Sequence, residues 1–307
     1  MIPVVVGSSP IGHPKPRTTR ASPRSAFDAV LRAALAQIET SARGALSAED
    51  PEYLHQLRVG LRRLRSALRA FRPLLPAKKV KRLRRSLRGL SAELGTARDW
   101  DVLLQRLGTA RAPAELVARA KKKRAKARSK ALRAIASKDF ARIVESARQL
   151  DAEDDGRSLA EFAAASLGRA HRKLVKEARG TNWHNAGRRH GVRIRVKRLR
   201  YACEFFASAF AGKAARDYLA AVKDLQEILG ALNDIAVGRR LIGFDADEAG
   251  LISRLESAWT RFAQRPPFWR APGQRLHRAA SETGPLGRHA RGRGDSRPPR
   301  RRGNRAA

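Results

Sequence analysis

HQLRVGLRRLRSALRAF, residues 55–71, returns 135 positions later as HGVRIRVKRLRYACEFF, residues 190–206. His55/His190, Arg58/Arg193, Arg63/Arg198, Leu64/Leu199, Arg65/Arg200, Ala67/Ala202 and Phe71/Phe206 coincide, and Lys197 answers Arg62. A second pair of segments keeps the same offset: LSAELGTARDWDVL from Leu90 and LQEILGALNDIAVG from Leu225 align at Leu90/Leu225, Leu94/Leu229, Gly95/Gly230, Asp99/Asp234 and Val102/Val237, with Arg88 facing Lys223. Two separate segments sharing one offset point to a duplicated unit whose halves assemble. The repeat preserves core residues and, beside them, positive charge.

The period of the repeat is helical. At 100° per residue, Arg58, Arg62, Arg65 and Arg69 fall within about 80° of one another, next to an apolar stripe of Leu57, Leu61, Leu64, Leu68 and Phe71. His190, Arg193, Lys197 and Arg200 reproduce the first stripe, and Val192, Val196, Leu199, Cys203 and Phe206 the second. Apolar residues recur at spacings of three and four from about 25 to 264, and no run alternates with period two over strand length, so the chain is all-α. The pattern predicts helices near 25–45, 51–73, 77–94, 99–107, 113–137, 140–150, 158–178, 187–209, 214–243 and 247–263. Asp50-Pro51 supplies an N-cap and a first-turn proline, and Gly95 is the expected left-handed stop of the third helix. Short connections between such helices predict antiparallel bundles, with a first repeat over 25–150 and a second over 157–264.

Composition sets the class of partner. The 307 residues carry 66 Lys and Arg against 28 Asp and Glu, a net charge of +38, while 42% apolar residues suffice for a core. Residues 265–307 hold 12 of the basic groups and residues 1–24 another four, which still leaves about +24 on the segment between. So large a charge opposes compaction unless a polyanion neutralises it. Proline, serine and glycine predict disorder for residues 1–24, and Arg, Gly and Pro predict it for 270–307, with Phe268 and Trp269 able to dock on the bundle end. The single cysteine, Cys203, excludes an internal disulfide. No apolar stretch is long enough for a membrane span or a signal sequence, and a cytoplasmic protein is expected.

A solvated helix normally places acids three or four residues from its basic side chains. Here Glu52 is the one acid between Pro51 and Pro73, and Glu204 the one between Arg188 and Phe206. The third helix adds Lys78, Lys81, Arg82, Arg84, Arg85 and Arg88 before its first acid, Glu93. Cations one turn apart, about 5–6 Å, suit a linear chain of phosphates gripped by arginine forks. Single-stranded nucleic acid requires stacking platforms, yet aromatic residues are 6% of the chain and none stands among the motif arginines. A sequence-nonspecific RNA or DNA binder using helix 113–137 and the basic tail is the second reading.

The His-x-x-Arg helices His55/Arg58 and His190/Arg193, followed by paired basic residues and RLR or RLRY, together with Leu94–Asp99 and Leu229–Asp234, resemble the CHAD family, the conserved-histidine α-helical domain. The resemblance covers about 25–269. It implies two four-helix bundles related by pseudo-symmetry, a basic central groove or pore that binds inorganic polyphosphate, and association with polyphosphate granules. Mapped onto this sequence, the polyphosphate contacts expected are His55, Arg58, Arg62, Arg63, Arg65, Arg69, Lys81, Arg85, Arg88, His190, Arg193, Lys197, Arg198, Arg200 and Lys223. Many members of the family carry a catalytic CYTH domain before this one; only about 24 residues stand there here, so that activity is not expected.

Three chemical readings have weaker support. Neither His55 nor His190 has a second ligand at i+3 or i+4, so no metal or cofactor is expected, and each histidine either faces phosphate or bonds structurally. Asp99 and Asp234 are a repeated carboxylate pair able to hold a metal for phosphate chemistry, or to cap a helix or orient an arginine. No Walker loop or nucleophile elbow is present, so binding without turnover is expected.

Overall fold

The computed structural model describes residues 22–109, 112–210, 212–243 and 247–269; the expectations for residues 1–21 and for the tail from 270 lie outside them. These residues form nine α-helices and two short 3-10 turns, with no strand among them. The order is α1 Pro23–Ser47, α2 Pro51–Ala70, α3 Ala77–Thr109, α4 Ala114–Ile135, α5 Lys138–Arg148, α6 Leu159–Ala178, α7 Ala186–Phe205, α8 Lys213–Ile242 and α9 Ala249–Gln264. α2 and α7 have equal lengths and start 135 residues apart, as do α4 and α9, and each motif helix runs into a 3-10 turn, Arg72–Leu74 or Ala207–Ala209. α5 alone has no partner at that offset. Among the described residues no helix is long and apolar enough to cross a membrane.

Local chemistry sets the helix starts. The Glu52 N–H donates to Asp50 Oδ1 at 2.7 Å ahead of Pro51, Ser158 and Glu161 form a reciprocal capping box, and Asn185 Oδ1 accepts from the Arg188 N–H at 3.0 Å. The expected break at Gly95 does not occur. α3 runs for 33 residues through it, and Gly95 is not among the glycines with positive φ. An interior glycine costs a helix only about 1 kcal/mol. Leu87, Leu90, Leu94, Ala97 and Leu103, buried along one side, outweigh that cost. Asp99 and Asp234 therefore lie within α3 and α8 and cap nothing.

α2 packs on α1 and α3, α7 on α6 and α8, and α2 and α7 on each other, so the repeated helices meet at the centre. Their apolar stripes close one continuous core. Phe71 of α2's end and Phe206 of α7's end, repeat equivalents, approach to 5.0 Å between ring centroids. Phe27 and Phe162, also 135 apart, flank them at 5.5 and 6.0 Å, and Phe162 stacks on Phe71 at 5.7 Å. Such rings contribute large buried area plus about 0.5–1.5 kcal/mol for each oriented pair. Ser166 Oγ of α6 donates to the Ala70 carbonyl at 2.9 Å, tying α6 to the C-terminus of α2. Phe268 and Trp269 dock as the sequence suggests: Trp269 lies edge-on to Tyr218 and His171, at 5.1 and 5.9 Å.

Candidate functional site

The α2–α7 contact positions the charged stripes, because burying Leu57, Leu61 and Leu64 against the core leaves Arg58, Arg62, Arg65 and Arg69 half-buried beside it. Arg193, Lys197 and Arg198 emerge from α7 in the same state. At the centre, Lys197 is disfavoured as a cation by its burial first and then by Arg62 and Arg193, which brings its pKa down to about 6. Arg58 is lowered to about 10 by burial, with Arg62 the strongest repelling neighbour, and Arg193 is lowered by burial with Arg62 opposing its charge. Arg58, Arg62, Arg193 and Lys197 thus crowd one another. None of the four has an ion-pair partner among the described residues, and Arg58 Nη1 and Arg193 Nε are buried without any acceptor.

Gly95 explains how Arg58 fits. A Cβ at residue 95 would stand 3.0 Å from Arg58 Nη1, whereas one at the repeat position Gly230 would meet nothing within 4 Å. Gly95 is thus a seat for a guanidinium on the face of α3. Gly95→Ala should weaken anion binding several-fold at little cost in stability, while Gly230→Ala should stabilise α8 by about 0.5–1 kcal/mol and leave binding unchanged. Thermal unfolding and a binding titration on both variants check the contrast.

The cations continue outward. Arg65 is lowered by burial and then by Arg88 and Arg84. Arg69 and Arg198 each fall to about 10 through burial, with Arg198 repelling Arg69, and with Arg195, Arg65 and Arg84 repelling Arg198. All these arginines remain charged at neutral pH, so their depressed values record stored repulsion and not neutralisation.

At the other end, Asp99 is raised by burial, with Asp234 adding to the rise and Arg58 and Arg240 opposing it. Arg106 Nη2 of α3 donates to Asp234 Oδ2 of α8 at 3.2 Å, and Arg240 Nη2 of α8 stands 3.6 Å from Asp99 of α3. The two carboxylates are cross-linked between long helices. No group of three potential metal-ligating side chains occurs among the described residues.

Two long helices crossing at their aspartates and two motif helices meeting at their arginines constitute an arrangement already known in solved structures. The family model for the CHAD domain matches residues 29–243. The chain belongs to the CHAD domain family. The crystal structure of the CHAD domain from the plant Ricinus communis is 34% identical, covering 80% of this chain and 89% of that one, with a TM-score of 0.62. PptA from Streptomyces chartreusis, 20% identical over 80% of this chain and 99% of that one with a TM-score of 0.55, shares the fold. No curated protein matches the sequence.

Within this CHAD domain the sequence-derived positions separate into groups. Arg58, Arg62, Arg65, Arg69, Arg88, Arg193, Lys197 and Arg198 belong to the mutually repelling set. Lys81, Arg85 and Lys223 are exposed, and none of them is among the cations that perturb it. Arg200 Nε donates to Glu204 Oε1 at 2.8 Å, and Arg63 lies 5.9 Å from the Phe205 ring centroid. His190 Nδ1 is 3.1 Å from Asn233 Oδ1, a structural contact. His55, half-buried, is lowered by burial and then by Arg98, so it is neutral at pH 7. Arg98 and Asn233 are themselves repeat equivalents, which makes these matching histidine environments with unlike partners. Arg84, Arg98, Arg195 and Lys173 join the set without having been singled out in the sequence. The i, i+4 pairing of Arg84 with Arg88 was the available signal for the first; the others are brought in by helix packing.

Lys197 gives the site a pH signature. Its folded pKa of about 6 lies below the ordinary 10.5, so the unfolded chain binds more protons between those values. Stability should accordingly rise with pH from about 6 towards 10.5. A polyanion bound at the centre should restore the proton, so binding near neutral pH should take up a proton and weaken as pH rises through this window. Calorimetric titration in buffers of different ionisation enthalpy reads the uptake, and Lys197→Met should abolish it.

Proposed function

We propose that this CHAD domain binds inorganic polyphosphate without turning it over, in association with polyphosphate granules. On this reading the internal duplication yields two pseudo-symmetric four-helix bundles, and α2 and α7 line a shared basic groove. The observation that carries it is the convergence of Arg58, Arg62, Arg193 and Lys197, half-buried cations without ion-pair partners, two of them with orphaned buried nitrogens. An isolated buried cation is costly, and removing its counter-charge leaves that cost in place, so a ligand must bring the missing anion. A flexible phosphate chain supplies one charge per unit along a path narrow enough for the space between two helices. The family membership and the Ricinus communis CHAD domain support the same assignment.

Nucleic acid fits the centre less well. The rings near the cations are core residues, Phe205 at 6% exposure and Tyr201 at 5%, and neither offers a face for stacking a base. Polyphosphate, single-stranded RNA and duplex DNA compared at equal phosphate across a salt series, with full-length protein and with residues 270–307 removed, test the proposal. Preference for polyphosphate in both forms is expected; preference for RNA that vanishes with the tail would overturn it. Release of orthophosphate on adding Mg²⁺ would restore the reading in which Asp99 and Asp234 serve catalysis.

A further inference from the structure

The line of cations does not end symmetrically. Beyond the centre it continues through Arg69 of α2, Arg84 of α3, Arg195 and Arg198 of α7 and Lys173 of α6, four helices that the chain order separates by up to 129 residues. Arg69 is opposed by Arg198, Arg84 and Arg195, and Lys173 by Arg195 and Arg69, which places these five groups within electrostatic reach of one another. Arg195 is held by Glu177, its Nε donating to Oε2 at 3.1 Å. The other four have no ion-pair partner among the described residues.

Applying the 135-residue offset gives the other end of the groove. Arg84 corresponds to Leu219, Lys173 to Ile38, Arg195 to Gly60 and Arg69 to Glu204, and only Arg198 keeps a cation, Arg63. Ile38 is 1% exposed, and a Cβ at residue 60 would stand 2.9 Å from its Cγ1, so α1 lies directly on α2 there. Leu219 packs against the core, Glu204 is engaged with Arg200, and Arg63 is held beside Phe205. One end is a dry helix contact. The other is a cluster of solvent-facing or half-buried cations.

We infer that Arg69, Arg84, Lys173, Arg195 and Arg198 form a second phosphate-binding subsite on the α3–α6–α7 side alone, so that long polyphosphate occupies the centre and this subsite together while short oligophosphates occupy the centre only. The inference rests on the polyphosphate reading above. It makes the domain a one-sided reader of chain length: the strands of affinity gained by added phosphates come from one direction, and saturate when the outer cations are filled. Simultaneous engagement of two subsites by one chain raises apparent affinity through effective concentration, so its loss is felt only by ligands that span both.

The test uses full-length protein with tripolyphosphate and with long-chain polyphosphate. Arg84→Gln/Lys173→Gln/Arg195→Gln should bind the long chain roughly tenfold or more weakly, with a log–log salt slope shallower by about 2, and should bind tripolyphosphate within about twofold of the unaltered protein. Unchanged binding of both ligands would overturn the inference, and so would an equal loss for both, which would make these cations part of one undivided field. Unaltered protein that binds neither ligand would instead overturn the polyphosphate reading itself. Because Arg84, Lys173 and Arg195 lie outside the core, the variant should fold; should its melting temperature fall, Leu219→Arg in otherwise unaltered protein supplies a second test, and it should strengthen long-chain binding less than twofold, since the closed α1–α2 side does not admit the chain.

Discussion

Arg62→Met/Lys197→Met should bind polyphosphate at least about a hundredfold more weakly, and it should be more stable than the unaltered protein. The loss follows from removing two charge-assisted contacts, each contributing about 1.5–3 kcal/mol where solvent is partly excluded. The gain in stability follows from the same crowding. Lys197 is disfavoured as a cation by burial and by Arg62, and methionine keeps most of the apolar stem of either side chain while removing the repulsion. Thermal unfolding without ligand should move up, and the upward shift that polyphosphate produces should disappear. A fall in stability, or affinity left intact, would show that these side chains serve the fold and not a ligand. The opposite directions of the two readouts are what distinguish a binding ladder from a structural one.

Arg189→Ala should destabilise the fold by about 3–5 kcal/mol. Arg189 is 3% exposed at the start of α7, one residue before His190. Its Nη1 donates to the Trp183 carbonyl at 2.7 Å and reaches the His184 carbonyl at 3.3 Å, while Nη2 donates to Glu248 Oε2 at 2.6 Å. Truncation would leave a nearly buried carboxylate with only the half-exposed Arg239, 3.5 Å from Glu248 Oε1, and would release the loop between α6 and α7 from the start of α9. The paired replacement Arg189→Met/Glu248→Met should recover most of the loss, because breaking a buried pair costs more than deleting both members. Chemical denaturation of the two variants measures the difference. If the single change costs less than about 1 kcal/mol, the pair is not the staple that its burial indicates.

These two arginines show how far the sequence could be read. Arg62 lies on a stripe that a helical wheel displays, beside leucines whose burial follows from their spacing and with no acid at i±3 or i±4, so its exposure to a ligand was legible. Arg189 sits in the same basic run, and nothing in its neighbourhood marks it as buried, since its partner Glu248 lies 59 residues away. The reverse error occurred at Arg200, which the repeat assigned to the ladder but which Glu204, four residues on, engages. Its equivalent, Arg65, has Arg69 at that position and stays unpaired.

The sequence by itself determined the helical class, the repeat, the membership of the family and which faces of α2 and α7 are apolar, because period, caps and charge balance are local properties of a chain. It could not determine that α3 passes straight through Gly95, since a glycine may end a helix or admit a neighbour, and only Arg58 arriving from α2 selects the second use. Nor could it show that α1 closes one end of the groove through Gly60 and Ile38 while Arg84, Lys173 and Arg195 gather at the other. Charges act through space with a range of about 8–10 Å in physiological salt, so which cations share a field depends on helix packing and not on their order along the chain. The tertiary structure thus turned two equivalent stripes into one site with unequal ends.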